Sequence, residues 1–170
     1  MRSSLLKRVA VAAGTFAAAL SVSSPASAAT SYSADECTSS GSTYCFVIHY
    51  NSRSETTNYS SSSCFVATRD IPDYYGYSPN GTTLVRFVFE YGLISDNYAT
   101  CRLGNTGEGL AVKNNAASAS NGERSASYRV YYNSGYLGTS QTFSPTCGLH
   151  WPSTNPISSL KNENASAARL

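Results

Sequence analysis

Few side chains in this 170-residue sequence could do acid–base or nucleophilic chemistry, and their spacing argues against it. There are two histidines, His49 and His150, no H-E-x-x-H pair for zinc and no G-x-S-x-G elbow to raise a serine nucleophile. His49 takes the outward parity of a strand pattern, so a surface or packing role is expected of it, and His150 stands beside Trp151 in a loop rich in proline. Asp35 and Glu36 adjoin each other near an expected chain terminus, a poor place to hold two carboxylates at a fixed separation. A hydrolase built from a Ser-rich loop and His49 is the residual enzymatic reading. The expectation is a protein that is not an enzyme and requires no cofactor, since no nucleotide or haem motif is present.

The five cysteines, Cys37, Cys45, Cys64, Cys101 and Cys147, contain no C-x-x-C pair of the kind that binds metal. Arg2, Lys7 and Arg8, an apolar run from Val9 to Val22 and the small-residue site Ala26-Ser27-Ala28 have the form of an export signal over residues 1–28. A secreted protein is expected, and disulfides with it. Cys37 with Cys45 and Cys64 with Cys101 is the favoured pairing, the second closing the base of an insertion described below; other pairings stay open to sequence reading. Cys147 is then left over; a monomer is expected, with a disulfide-linked dimer through Cys147 as the alternative.

Removing residues 1–28 takes three of the 12 Lys and Arg and none of the 10 Asp and Glu, so the remainder carries 9 − 10 = −1. Its basic residues, among them Arg53, Arg69, Arg86, Arg102, Arg124 and Arg129, are scattered. That leaves no electrostatic footprint for nucleic acid or an anionic membrane.

The elements that must position these residues come in two copies. Ile48-His49-Tyr50-Asn51-Ser52 returns as Val130-Tyr131-Tyr132-Asn133-Ser134, and Val112-Lys113-Asn114-Asn115-Ala116-Ala117-Ser118 returns as Leu160-Lys161-Asn162-Glu163-Asn164-Ala165-Ser166. The openings lie 82 residues apart and the closings 48, so the first copy carries about 34 extra residues (82 − 48). A repeat of roughly 40 residues cannot bury a core alone, so the two copies must share one. The expected layout is a single domain over 29–170, with repeat one at about 44–119, an insertion at about 58–101, and repeat two at about 128–167.

Apolar residues alternate at Tyr44, Phe46, Ile48 and Tyr50, at Tyr128, Val130 and Tyr132, and at Val85, Phe87, Phe89 and Tyr91, the last set preceded by the turn signal Ser78-Pro79-Asn80-Gly81. These periods predict an all-β domain with a β-hairpin inserted in the first repeat, a loose lead-in over residues 29–36 and a loop over 144–157.

The spacing Tyr131-x-x-x-x-Tyr136-x-Gly138 resembles the Greek-key signature of the βγ-crystallins, in which two aromatics pack over a folded hairpin and the glycine adopts φ > 0. Asn114-Asn115-Ala116-Ala117-Ser118 and Asn162-Glu163-Asn164-Ala165-Ser166 are similar to that family's polar stretch. With the export signal, residues 37–170 outside the insertion look most like the secreted actinobacterial peptidase inhibitors of the Streptomyces metalloproteinase inhibitor type. The resemblance implies a βγ-crystallin-like double Greek-key sandwich built from two unequal repeats. The first copy departs from it, with Ser54 and Thr56 where Tyr136 and Gly138 stand in the second.

The resemblance also implies that the polar stretches can furnish weak calcium ligands, here Asn115 and Ser118, and Glu163 and Ser166. Only Glu163 brings a charge, so any such site should bind weakly. The competing reading is that these residues satisfy backbone groups in tight arches.

Inhibition of an extracellular peptidase, a metalloprotease by resemblance, is the expected function. It asks for a rigid extended segment, and Cys64-Phe65-Val66 offers an apolar side chain beside a disulfide anchor. A buried strand following the cysteine is the alternative reading of the same three residues. Tyr74-Tyr75-Gly76-Tyr77 and the Trp151 loop are rival contact surfaces. A non-inhibitory module of the same fold, binding calcium or directed at a cell wall like a toxin, is the alternative function.

Overall fold

A computed structural model describes residues 28–38, 45–93, 100–146, 152–156 and 158–170. The export segment through residue 27, Tyr44, Cys147, His150 and Trp151 lie outside the described residues. The chain is all-β. Its strands are β1 (Ala29–Ser33), β2 (Asp35–Glu36), β3 (Phe46–His49), β4 (Cys64–Ala67), β5 (Gly76–Tyr77), β6 (Thr83–Phe87), β7 (Ser118–Asn121), β8 (Tyr128–Asn133), β9 (Leu137–Phe143) and β10 (Ser166–Arg169). They form three sheets, ordered β2-β4-β3-β7, β10-β8-β9 and β1-β6-β5. No helix among the described residues is long and apolar enough to cross a membrane.

The duplicated sequence folds in duplicated register. His49 stands opposite Ser118 across β3 and β7, and Tyr131, 82 residues after His49, stands opposite Ser166, 48 after Ser118. On the other side, Phe46 to His49 pair with Ala67 to Cys64 as Tyr128 to Tyr131 pair with Phe143 to Ser140. β4-β3-β7 is therefore the counterpart of β9-β8-β10. Each unit also receives a bridge from the other repeat: Ile71 exchanges backbone hydrogen bonds with Ala167, and Thr154 does so with Ala119.

This register moves the insertion. The expectation placed it at about 58–101, which would have included β4, yet β4 belongs to the parent repeat. From His49 to Cys64 the spacing is 15, against 9 from Tyr131 to Ser140. The step from Cys64 to Ile71 is 7, against 14 from Ser140 to Thr154. Those differences nearly cancel, so the extra length falls between Ile71 and Ser118. There the chain builds β5 and β6, an antiparallel hairpin around Ser78–Thr82 in which Asn80 Oδ1 accepts from the Thr82 and Thr83 amides and Gly81 takes φ 75°.

Residues 29–36 are not a loose lead-in. β1 runs parallel to β6, extending the inserted hairpin into a three-stranded sheet, and β2 runs parallel to β4. Ala29–Ser33 is exposed almost throughout and has no apolar alternation, so its order rests on backbone pairing that a hydrophobic pattern does not report.

Phe46, Ile48, Phe65, Phe87, Phe89, Tyr128, Val130 and Phe143 fill the shared core with Ile71, Tyr74 and Val112. The opposite face of β3 and β4 is also covered, by a smaller cluster of Val47, Val66, Cys45, Cys64 and Cys101. Both favoured disulfides are present, Cys37–Cys45 and Cys64–Cys101.

Candidate functional site

Cys64, Phe65 and Val66 cannot serve as an inhibitory loop in this fold. They form a strand flanked by β2 and β3, each at most 1% exposed. The Phe65 ring packs on Phe87 and Tyr74 in the core, and the disulfide to Cys101 pins the strand from the other face. Presenting Phe65 to a protease cleft would require dismantling the sheet.

The polar arches are a structural device in both copies. Ser118 Oγ donates to the Asn51 carbonyl and Ser166 Oγ to the Asn133 carbonyl, each at 2.7 Å. Asn114 and Asn162 both adopt left-handed backbone, at φ 60° and 59°. Their amides cross between the copies, Asn114 donating to the Asn164 carbonyl and Asn162 to that of Ala116. In the second repeat Tyr131 and Tyr136 meet edge-on, and Gly138 takes φ 81° where a Cβ would sit 2.9 Å from Asn133 Nδ2. The first repeat replaces that turn with a longer loop folded by Ser54 and Tyr59 through backbone hydrogen bonds.

The residues expected to ligate calcium are engaged in part within the arches themselves. Asn115 and Ser118 stand in one arch, Glu163 and Ser166 in the other. Both serine hydroxyls are buried donors to carbonyls, and Asn115 spends its Nδ2 on the carbonyls of Ala111 and Lys113. A lysine already stands at each. Lys113 Nζ lies 2.9 Å from Asp73 Oδ1 and donates to Ser134 Oγ at 2.8 Å. Burial would raise the Asp73 carboxyl, but hydrogen bonds from the Tyr75 amide, Lys113 and Ser134 hold it below the usual carboxylate value. Lys161, the counterpart of Lys113, lines an open cleft of about 330 Å³ with Tyr50, Asn51, Ser52, Asn115 and Asn162. Among the described residues no group of three or more His, Cys, Asp or Glu could hold a metal ion.

Of the surface and packing roles expected of His49, the structure gives packing: it is buried, because the outward face of β3 is covered as well. Its Nε2 lies 3.0 Å from Ser120 Oγ, which lies 3.1 Å from Ser153 Oγ, while Nδ1 lies 3.1 Å from Cys64 Sγ. A serine beside a histidine suggests a nucleophile, but Ser120 is 1% exposed and the far nitrogen meets a disulfide sulfur where a triad would place a carboxylate. Burial lowers the His49 pKa to about 3, so the ring is neutral packing.

The inserted sheet presents the chemistry of a contact surface. Tyr32 on β1 stands opposite Arg86 on β6, and the Arg86 guanidinium lies 3.7 Å from the centre of the Tyr75 ring. Tyr32, Tyr75 and Tyr77 are all exposed, and Arg69 approaches the Tyr77 ring at 5.1 Å. Gly76 makes the arrangement possible: a Cβ there would fall 1.9 Å from the Val85 carbonyl oxygen. The Tyr74–Tyr77 segment was legible as a contact surface from composition; Tyr32 and Arg86 were not, because their partnership depends on the parallel pairing of β1.

No protein-family model, curated protein or solved structure matches the chain.

Proposed function

We propose that this is a secreted, non-enzymatic binding protein that inhibits an extracellular peptidase through the outer face of its inserted sheet. The observation that carries the surface is the row formed by Tyr32, Arg86 and Tyr75, rigidly backed by β6 and by the core residue Phe87. Tyr and Arg dominate the energetics of protein interfaces, and a row held in place before binding loses little entropy on contact. Peptidase as the partner class follows from the resemblance to the metalloproteinase inhibitors. The exchanged bridges at Ile71 and Thr154 and the matched arches support the double Greek-key, βγ-crystallin-like reading of the fold. Cys37–Cys45 and Cys64–Cys101 suit an oxidising destination.

Titrating the disulfide-bonded protein against a thermolysin-like metalloprotease and a subtilisin-like serine protease tests the function. Saturable loss of one activity at micromolar protein is the expected result. Full activity of both enzymes would remove inhibition of these two protease classes from the account.

A further inference from the structure

The two halves carry the same lysine in different circumstances. Lys113 from the first repeat and Ser134 from the second together receive a carboxylate, Asp73, which the insertion folds back onto them. The matching pair is Lys161 of the second repeat and Ser52 of the first, 48 residues after Lys113 and 82 before Ser134, and both line the open cleft. Among the described residues Lys161 has no ion-pair partner.

The rest of the cleft is built for a polar ligand. Asn51, Asn115 and Asn162 bring amide groups to its walls, and Tyr50 forms one side. The Tyr50 ring is fixed: it packs edge-on to Phe89 and lies against Gly107, where a Cβ would come within 2.3 Å of its Cγ. Asn51 is fixed too, its carbonyl accepting from Ser60 and Ser118 and its Nδ2 donating to the Ser61 carbonyl. The volume, about 330 Å³, reaches the lower range of small-ligand pockets.

We propose that this cleft binds a ligand carboxylate, received by Lys161 and Ser52 as Asp73 is received by Lys113 and Ser134. One lysine–serine pair is filled by the chain's own Asp73; the other takes a carboxylate from outside. An ammonium and a hydroxyl give a charge-assisted pair of donors, and the surrounding amides supply hydrogen bonds to the atoms that follow the carboxylate. A peptide C-terminus and an acidic sugar offer the same group. The site is separate from the inserted-sheet face and stands whether or not that face meets a peptidase.

The test titrates N-acetyl-alanyl-alanine, its C-terminal amide and glucuronate into isotope-labelled, disulfide-bonded protein, following backbone amide shifts. Saturable shifts at Ser52, Asn115 and Asn162 are expected with at least one acid and not with the amide. Peptide acid alone would assign a chain terminus, and glucuronate alone an acidic sugar. Lys161→Gln should weaken binding by about tenfold or more, while Lys161→Arg, which keeps the charge, retains it. Lys161 is exposed, so neither variant threatens the fold. Equal binding of acid and amide, unchanged affinity in Lys161→Gln, or no shift with either acid would overturn the proposal.

Discussion

Phe46 and Tyr128 occupy the same position in the two repeats and stack on each other, ring centroids 4.4 Å apart and planes within 4°. Equivalent residues meet only where the halves of a duplicated fold face one another, so this pair marks the seam of the shared core. Tyr128 is held there by its hydroxyl, which donates to Glu123 at 2.6 Å, and Glu123 is gripped bidentately by Arg169 near the chain's end.

Removing one ring of the stack should therefore loosen both repeats at once. Phe46→Ala is expected to cost about 3–5 kcal/mol, in the range for deleting a buried aromatic. Urea denaturation followed by tyrosine fluorescence and by far-ultraviolet dichroism checks it. Both probes should shift together; separate transitions would mean that the repeats do not share a core.

Acid should weaken the fold through His49. Its folded pKa, lowered to about 3 by burial, lies below the unfolded value of 6.5, so between these two pH values the unfolded chain binds the proton and the native chain does not. The stability is present above pH 6.5 and drains as pH falls toward 3, at roughly 1.4 kcal/mol per pH unit from this group. Glu123, held below its usual carboxylate value by Arg169 and Tyr128 against the opposing effect of burial, acts in the same direction at lower pH. Unfolding free energies between pH 7 and 4 should show a shallower slope for His49→Gln than for the parent. Parallel slopes would mean that His49 is not buried neutral.

The two disulfides should contribute unequally. Cys64–Cys101 closes a separation of 37 residues and Cys37–Cys45 one of 8. Chain-entropy reasoning gives about 4 kcal/mol for the longer loop and about 2.5 for the shorter. Pairwise Cys→Ser variants, compared by denaturant midpoint, should rank in that order, with the Cys64/Cys101 pair the more damaging because both positions are also fully buried.

How much of this was legible in the sequence differs by element. The repeated Tyr-Asn-Ser and Lys-Asn segments did fold in matching register, because each sets a strand edge and an arch that depend on local backbone bonding. Both favoured disulfides formed. The position of the insertion was not legible: the loop before Cys64 is longer than its counterpart and the step to Ile71 shorter, so two opposite changes hid each other. For His49 the choice between a surface and a packing role stayed open, because period-two parity tells which face a residue takes and not whether that face is covered. Cys64-Phe65-Val66 shared this ambiguity, and two covered faces resolved it toward the core. The contrast between Lys113 and Lys161 required the insertion's fold, since nothing in the spacing connects Asp73 to Ser134.

The most direct test of the central claim is the inhibition constant of the double variant Tyr75→Ala, Arg86→Ala against the peptidase that the parent protein inhibits. These side chains stack on the outer face of the inserted sheet, away from the core. The account expects affinity to fall by at least about a hundredfold, in line with the loss of two central interface anchors, with the denaturation midpoint little changed. Unchanged inhibition by a folded double variant would contradict it and move the contact surface off the inserted sheet.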